Sequence, residues 1–121
     1  MTESAIDEAT FANLLEITGG DMDFVDELVD TYLADGEGQV EALREAAARN
    51  AVADLVRPAH SLKSSSLNLG ALALGELART LEDAARSGDV PDAAQQVETI
   101  AVAFADARQV LLTERERRAP E

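Results

Sequence analysis

The chain has 121 residues, 24 acidic against 10 basic, with one His and neither Cys nor Trp, which suffices for one compact domain over residues 1–121 and leaves little room for a second. The formal charge of -14 speaks against a nucleic-acid or anionic-membrane surface, because counterion release needs clustered Lys and Arg, and these cluster only in the last few residues. The lack of Cys excludes a disulfide scaffold, a thiolate metal site and a Cys nucleophile and fits the cytoplasm, while neither a leader segment nor the roughly 18 to 20 apolar residues of a membrane span can be read in the chain.

Ala supplies 23 residues and aromatics only 3%; strong helix formers dominate, and residues that fill a sheet core are sparse. The expected fold class is all-α. In chain order, Ile6, Phe11, Leu14, Leu15 and Ile17 predict a short helix over 5–18 that stops at Gly19-Gly20. Asp21 is a good N-cap for a second helix over 21–48. Val25, Leu28, Val29, Tyr32, Gly36, Val40, Leu43 and Ala47 keep one helical phase across Gly36 and Gly38, so the glycines mark a soft spot, with Gly36 on the packed face. Asn50 signals a turn before a third helix over 51–69, striped by Val52, Leu55, Ala59, Leu62, Ser66 and Leu69 and closed by Gly70. Pro58 lies inside it and predicts a slight kink or loosened first turns.

A fourth helix over 71–87 carries Leu74, Leu77, Ala78, Leu81 and Ala85 and ends at Ser87-Gly88. Pro91 suits the first turn of a fifth over 91–117, with Val97, Ile100, Ala101, Phe104, Leu111 and Leu112 as its apolar positions and a fraying polar tail. Short connections favour antiparallel neighbours, hence an up-down-up-down four-helix bundle with the short first helix capping one end. One bundle accounts for the stripes, which predicts a monomer; the initial Met and the full bundle point to a free-standing protein.

With His60 at zero and about 100° per residue, the apolar stripe of the third helix centres roughly 140° away, so His60 points outward. Arg57, Lys63, Ser64 and Leu67 fall on its face. A surface bearing Arg57, His60 and Lys63 and no carboxylate would be a basic exception on an acidic molecule, fit to hold an anion. The plain alternative is a solvated histidine. A zinc site finds no second ligand three or four residues away, Asp21, Asp23 and Asp26 lack the glycine and distal Glu of a calcium loop, and Ser64 to Ser66 have no second His as a base. Ser65 and Ser66 read as packing residues bonding back to the preceding turn, and Arg115, Arg117 and Arg118 as a solvated helix end.

The string AHSLKSSSLNLGA, residues 59–71, resembles the signature of histidine-containing phosphotransfer (HPt) domains: His60, Leu62, Lys63, small residues at 64–66, Leu69 and Gly70. Segments on either side, FANLLEITGGDMDFVDELVDTYLADG and LGELARTLEDAARSGD, look like the flanking helices of that family. Ser64 stands where many members have Gly, adding a hydroxyl one turn from the ring. The resemblance implies a phosphorelay carrier whose His60 takes a phosphoryl group from one receiver aspartate and passes it to another. Its partners would be response-regulator receivers and a hybrid sensor kinase, with magnesium on the receiver and no cofactor here.

Chemistry accounts for the residue types. An imidazole is largely neutral at pH 7 and offers a ring nitrogen to an activated phosphoryl group. The carboxylate of a phospho-aspartate is already a good leaving group, so the module has to present the ring and leave room. Lys63, one turn on, would pair with phosphoryl oxygens; Arg57, one turn back, would assist or contact an acidic partner. Receivers would dock through an apolar patch around Val56 and Leu67. No Gly-rich nucleotide loop or Walker lysine is present, so a kinase is not expected. The competing class is an acidic helical adaptor that binds a signalling partner without carrying phosphate.

Overall fold

A computed structural model describes residues 5–118, with side chains described through Glu116. Among the described residues the elements are α1 (Glu8–Ile17), α2 (Met22–Ala48), a 3-10 turn (Val52–Leu55), α3 (Val56–Leu69), α4 (Leu72–Ser87) and α5 (Ala93–Arg118), with no strand. Asp7 caps α1, its carboxylate accepting from Thr10 N at 2.9 Å, and Asp21 caps α2 by accepting from Phe24 N at 3.1 Å, which satisfies amide donors orphaned at each helix start. Gly19 and Gly20 both take positive φ between them, and Asn50 does the same after α2, at 54°.

Long-range pairs define the topology. Arg115 reaches Asp26 and Asp30 while Arg44 reaches Glu98, so α2 and α5 run antiparallel. His60 faces Glu82, and Leu67 packs where a Cβ on Gly75 would stand, so α3 and α4 are antiparallel too. With α2 against α3 and α4 against α5, the four long helices form an up-down-up-down bundle, and α1 lies on α2 and α3. The interior is built from Val25, Val29, Leu43, Leu55, Leu62, Leu74, Leu81, Val97, Ile100 and Leu111, each at most 2% exposed. α2 runs unbroken through Gly36, whose missing side chain leaves space for the Phe104 ring. That ring stands 5.9 Å from Tyr32 at a 54° tilt.

Several local expectations change. The first helix starts at Glu8, with Ile6 buried ahead of it. The third begins as a 3-10 turn that runs directly into α3, leaving Pro58 as the third residue of α3, in its first turn, where proline is tolerated. The fifth starts at Ala93 and stays helical to Arg118. Arg115 is no solvated helix end: it donates to both Asp30 carboxylate oxygens, at 2.6 and 2.8 Å, and to the Asp26 carbonyl. The side chains of Arg117 and Arg118 lie outside the described residues.

Candidate functional site

α3 is held in place from below and at its end. Ser66 is fully buried and shares a 2.8 Å hydrogen bond with the Tyr32 hydroxyl, which corrects the expected bond to the preceding turn. Ser65 does bond that way, donating to the Ser61 carbonyl at 3.0 Å. Burial pushes the Tyr32 hydroxyl up to about 12, so it stays protonated beneath the site. Gly70 ends α3 at φ 93°, and its carbonyl accepts from Asp7 N at 2.6 Å. A Cβ there would approach the Asp7 carbonyl to 3.1 Å, so both conformation and close approach call for glycine.

On the outer face of α3 the His60 side chain is 52% exposed, as the periodicity requires. The face is not free of carboxylate. Glu82 of α4 is 3% exposed and meets three partners: His60 Nδ1 lies 3.0 Å from Oε2, Arg86 Nη2 2.8 Å from the same oxygen, and Lys63 Nζ 2.7 Å from Oε1. The Lys63 contact is a close ion pair whose angle falls outside hydrogen-bond geometry. Lys63 chiefly drives the Glu82 carboxyl down to about 2; burial opposes, and Arg86 and His60 add to the lowering. The expectation of a purely basic face is therefore corrected, because a second helix delivers a buried anion to it.

The ionised carboxylate can only accept, so Nδ1 must be the donor in this contact. In the neutral ring that leaves the lone pair on Nε2, the nitrogen turned away from Glu82. A carboxylate already shared by two donors and a close ammonium has little capacity left for a metal ion. Among the described residues no cluster of three or more His, Cys, Asp and Glu side chains is placed to hold one.

The other candidates divide. Lys63 is drawn into the cluster, 21% exposed. Arg57 and Ser64 are exposed on the same face, and Arg57 forms no ion pair with the described residues. Val56 and Leu67 are half-buried, Leu67 against Gly75. On the α2 side of α3 an apolar groove of about 350 Å³ runs along Ser65, Asn68 and Leu69, walled by Phe24 and Leu28 and rimmed by Glu27 and Asp35. Phe24 is 47% exposed. Glu82 and Arg86 escaped the sequence reading. With Leu74 at zero, Glu82 falls about 80° round α4, at the edge of the apolar stripe and beside Gly75; the edge position and the Arg86 four residues on were the only signals.

The family described as "Hpt domain" matches residues 27–114. The crystal structure of histidine-containing phosphotransfer protein B (HptB) from Pseudomonas aeruginosa PAO1 superposes with a TM-score of 0.88 at 30% identity, covering 98% of this chain and 100% of that one. No relative was found among the curated proteins. No helix among the described residues is long and apolar enough to cross a membrane.

Proposed function

The chain belongs to the family of histidine-containing phosphotransfer domains, and from that premise we propose that it is a phosphorelay intermediate carrying the phosphoryl group on Nε2 of His60. The observation that supports this most is a half-exposed ring whose Nδ1 is engaged by an ionised, buried carboxylate, so that the open nitrogen holds the lone pair. Nε2 attacks the phosphorus of a receiver's acyl phosphate. The P–N bond forms, the P–O bond breaks, and the electron pair leaves on the aspartate carboxylate. Passing the group on reverses these steps with a second receiver.

The receiver would bring the magnesium ion that balances the phosphoryl charge in flight. Lys63 would turn part of its charge from Glu82 toward the phosphoryl oxygens, and Ser64 would keep the approach low, with Arg57 at its margin, while Gly70 would serve only by ending α3 against Asp7. An interface of standard size covers about 800 Å² on each partner. A receiver seated over His60 therefore spans both flanks of α3: Val56 and Leu67 on one side, the Phe24 groove on the other. The setting is cytoplasmic, the carrier a monomer without nucleotide chemistry, and a hybrid sensor kinase the donor.

His60→Gln tests the reading. Gln is a good helix former and the ring is off the core stripe, so circular dichroism should match wild type while acid-labile, alkali-stable label from a phosphorylated receiver disappears. Undiminished labelling of the variant would sink it. Binding without any label on wild type would favour the adaptor instead.

A further inference from the structure

We propose that Glu82 keeps the proton on Nδ1 of His60 throughout the phosphoryl cycle, so that the phosphorylated ring remains an active donor into mildly alkaline solution. The inference rests on His60 being the acceptor. It goes further, because it assigns to a residue of α4 the control of how readily the group leaves.

The chemistry of the leaving group decides the matter. When the P–N bond breaks, the electron pair returns to Nε2. If Nδ1 is protonated, what leaves is a neutral imidazole; if Nδ1 is bare, an imidazolide anion must leave, which is far more basic and a much poorer leaving group. A phosphorylated ring is thus a good donor only while Nδ1 holds its proton. Glu82 Oε2 stands 3.0 Å from that nitrogen. Its anionic charge persists through acid titration to about pH 2. An adjacent anion favours the protonated ring, and the carboxylate that supplies it is itself only 3% exposed, though the ring is half open to water.

The proton is the same one in both states. Before transfer the neutral ring carries it on Nδ1; after transfer the phosphorylated ring still carries it there; after release the original tautomer is restored. No proton has to enter or leave for the group to be taken or given, and the carrier works alike in both directions.

Among the described residues the charged groups in the cluster at the ring are Glu82 and Arg86 from α4 and Lys63 from α3, with Arg57 exposed on the same face of α3 and Asp54 of the 3-10 turn paired to Arg49. The segment leading into α1 reaches α3 at Gly70 through the Asp7 amide, and α2 reaches it at Ser66 through the Tyr32 hydroxyl, both on other sides of the helix. The cations weaken the hold on the proton, yet Lys63 and Arg86 are themselves paired to Glu82. Among the described residues Glu82 is thus the one group in contact with Nδ1 whose charge retains it.

The test uses the full chain, phosphorylated with phosphoramidate. One His in the sequence makes ¹⁵N NMR of the imidazole unambiguous in an untagged protein. We expect Nδ1 of the phosphorylated ring to stay protonated to higher pH than in free Nε2-phosphohistidine in the same buffer. In Glu82→Gln the amide oxygen can accept but has no charge. Phosphate loss at pH 8, followed by ³¹P NMR, should slow about tenfold for each pH unit by which proton loss moves down, and the two proteins should converge at pH 5. Lys63 and Arg86, released in the variant, would act on the phosphoryl oxygens alike at both pH values, so the difference between them isolates the proton. Parallel decay profiles, or a wild-type ring that loses its proton at the pH of free phosphohistidine, would overturn the inference while leaving His60 as the acceptor. The wild-type NMR result stands even if the variant folds poorly. Failure of wild type to take phosphate from both phosphoramidate and phosphorylated receivers would instead bring down the acceptor reading, and this inference with it.

Discussion

Lys63 Nζ lies 2.7 Å from Glu82 Oε1, so the cation proposed to meet the phosphate already has an anion of its own. It acts by redistribution, which limits what its loss can cost. Lys63→Ala should slow phosphoryl acceptance about tenfold, near the low end for a charge-assisted bond, without abolishing it. Rapid-quench transfer from a phosphorylated receiver would show this, and a variant indistinguishable from wild type would remove Lys63 from the site.

The Glu82 cluster also ties stability to pH. Its carboxyl moves from an ordinary 4.5 to about 2 on folding. A depressed carboxyl contributes its full stabilisation above about pH 4.5, and that contribution is lost as the pH falls through about 2. The gap in melting temperature between wild type and Glu82→Gln should therefore be widest near neutrality and shrink steadily below pH 4.5. A gap constant from pH 7 to pH 2 would contradict the pairing.

Docking should depend on apolar contact more than on charge, because the molecule is acidic overall while Lys63 and Arg86 at the transfer site are already paired to Glu82. Phe24→Ala and Leu67→Ala should each weaken receiver binding several-fold, and raising salt to physiological strength should change transfer only modestly. A fall of orders of magnitude with salt, measured by titration calorimetry and transfer rates, would show that charge pairing dominates.

Two glycines on one helix should respond in opposite ways. Gly38 faces solvent with nothing near a prospective Cβ, whereas at Gly36 that atom would collide with the Phe104 ring. Gly38→Ala should stabilise by up to about 1 kcal/mol through helix propensity. Gly36→Ala gains the same term but pushes a ring packed on Tyr32, so it should destabilise by about 1–2 kcal/mol. Urea denaturation of both variants reads the sign directly.

The bond between Tyr32 and Ser66 lends itself to a double-mutant cycle. Tyr32→Phe or Ser66→Ala alone strands a buried hydroxyl and should cost about 1–2 kcal/mol. The double variant should cost clearly less than their sum, because neither polar group then remains. Additive losses would mean that the two hydroxyls are satisfied separately.

Periodicity made the helices and the outward face of His60 and Lys63 legible, because one stripe on one helix carries that information. The partners on other elements were hidden for a shared physical reason. Glu82 sits at the edge of the α4 stripe, where a charge ordinarily snorkels to water; only the approach of α3, close enough for Leu67 to fill the space above Gly75, turns it into a buried anion. Ser66 lies within the stripe of α3 and reads as filler until Tyr32 from α2 arrives with a hydroxyl. Arg115 resembles any basic residue near a helix end until α2 brings Asp26 and Asp30 alongside. Each depends on how two helices are set against each other, which no single stripe records.

The chain contains one lysine, and it lies in the middle of α3, tied across to α4. A lysine-specific endoprotease therefore has a single place to cut, within the helix that bears His60. Cutting needs that stretch to unwind into an extended strand, so the native bundle should resist, and every cleavage event marks one opening of α3. The fraction of intact chain after a brief digestion becomes a direct count of closed molecules. A docked receiver or a phosphoryl group on the ring can then be read by how far it slows the appearance of just two fragments.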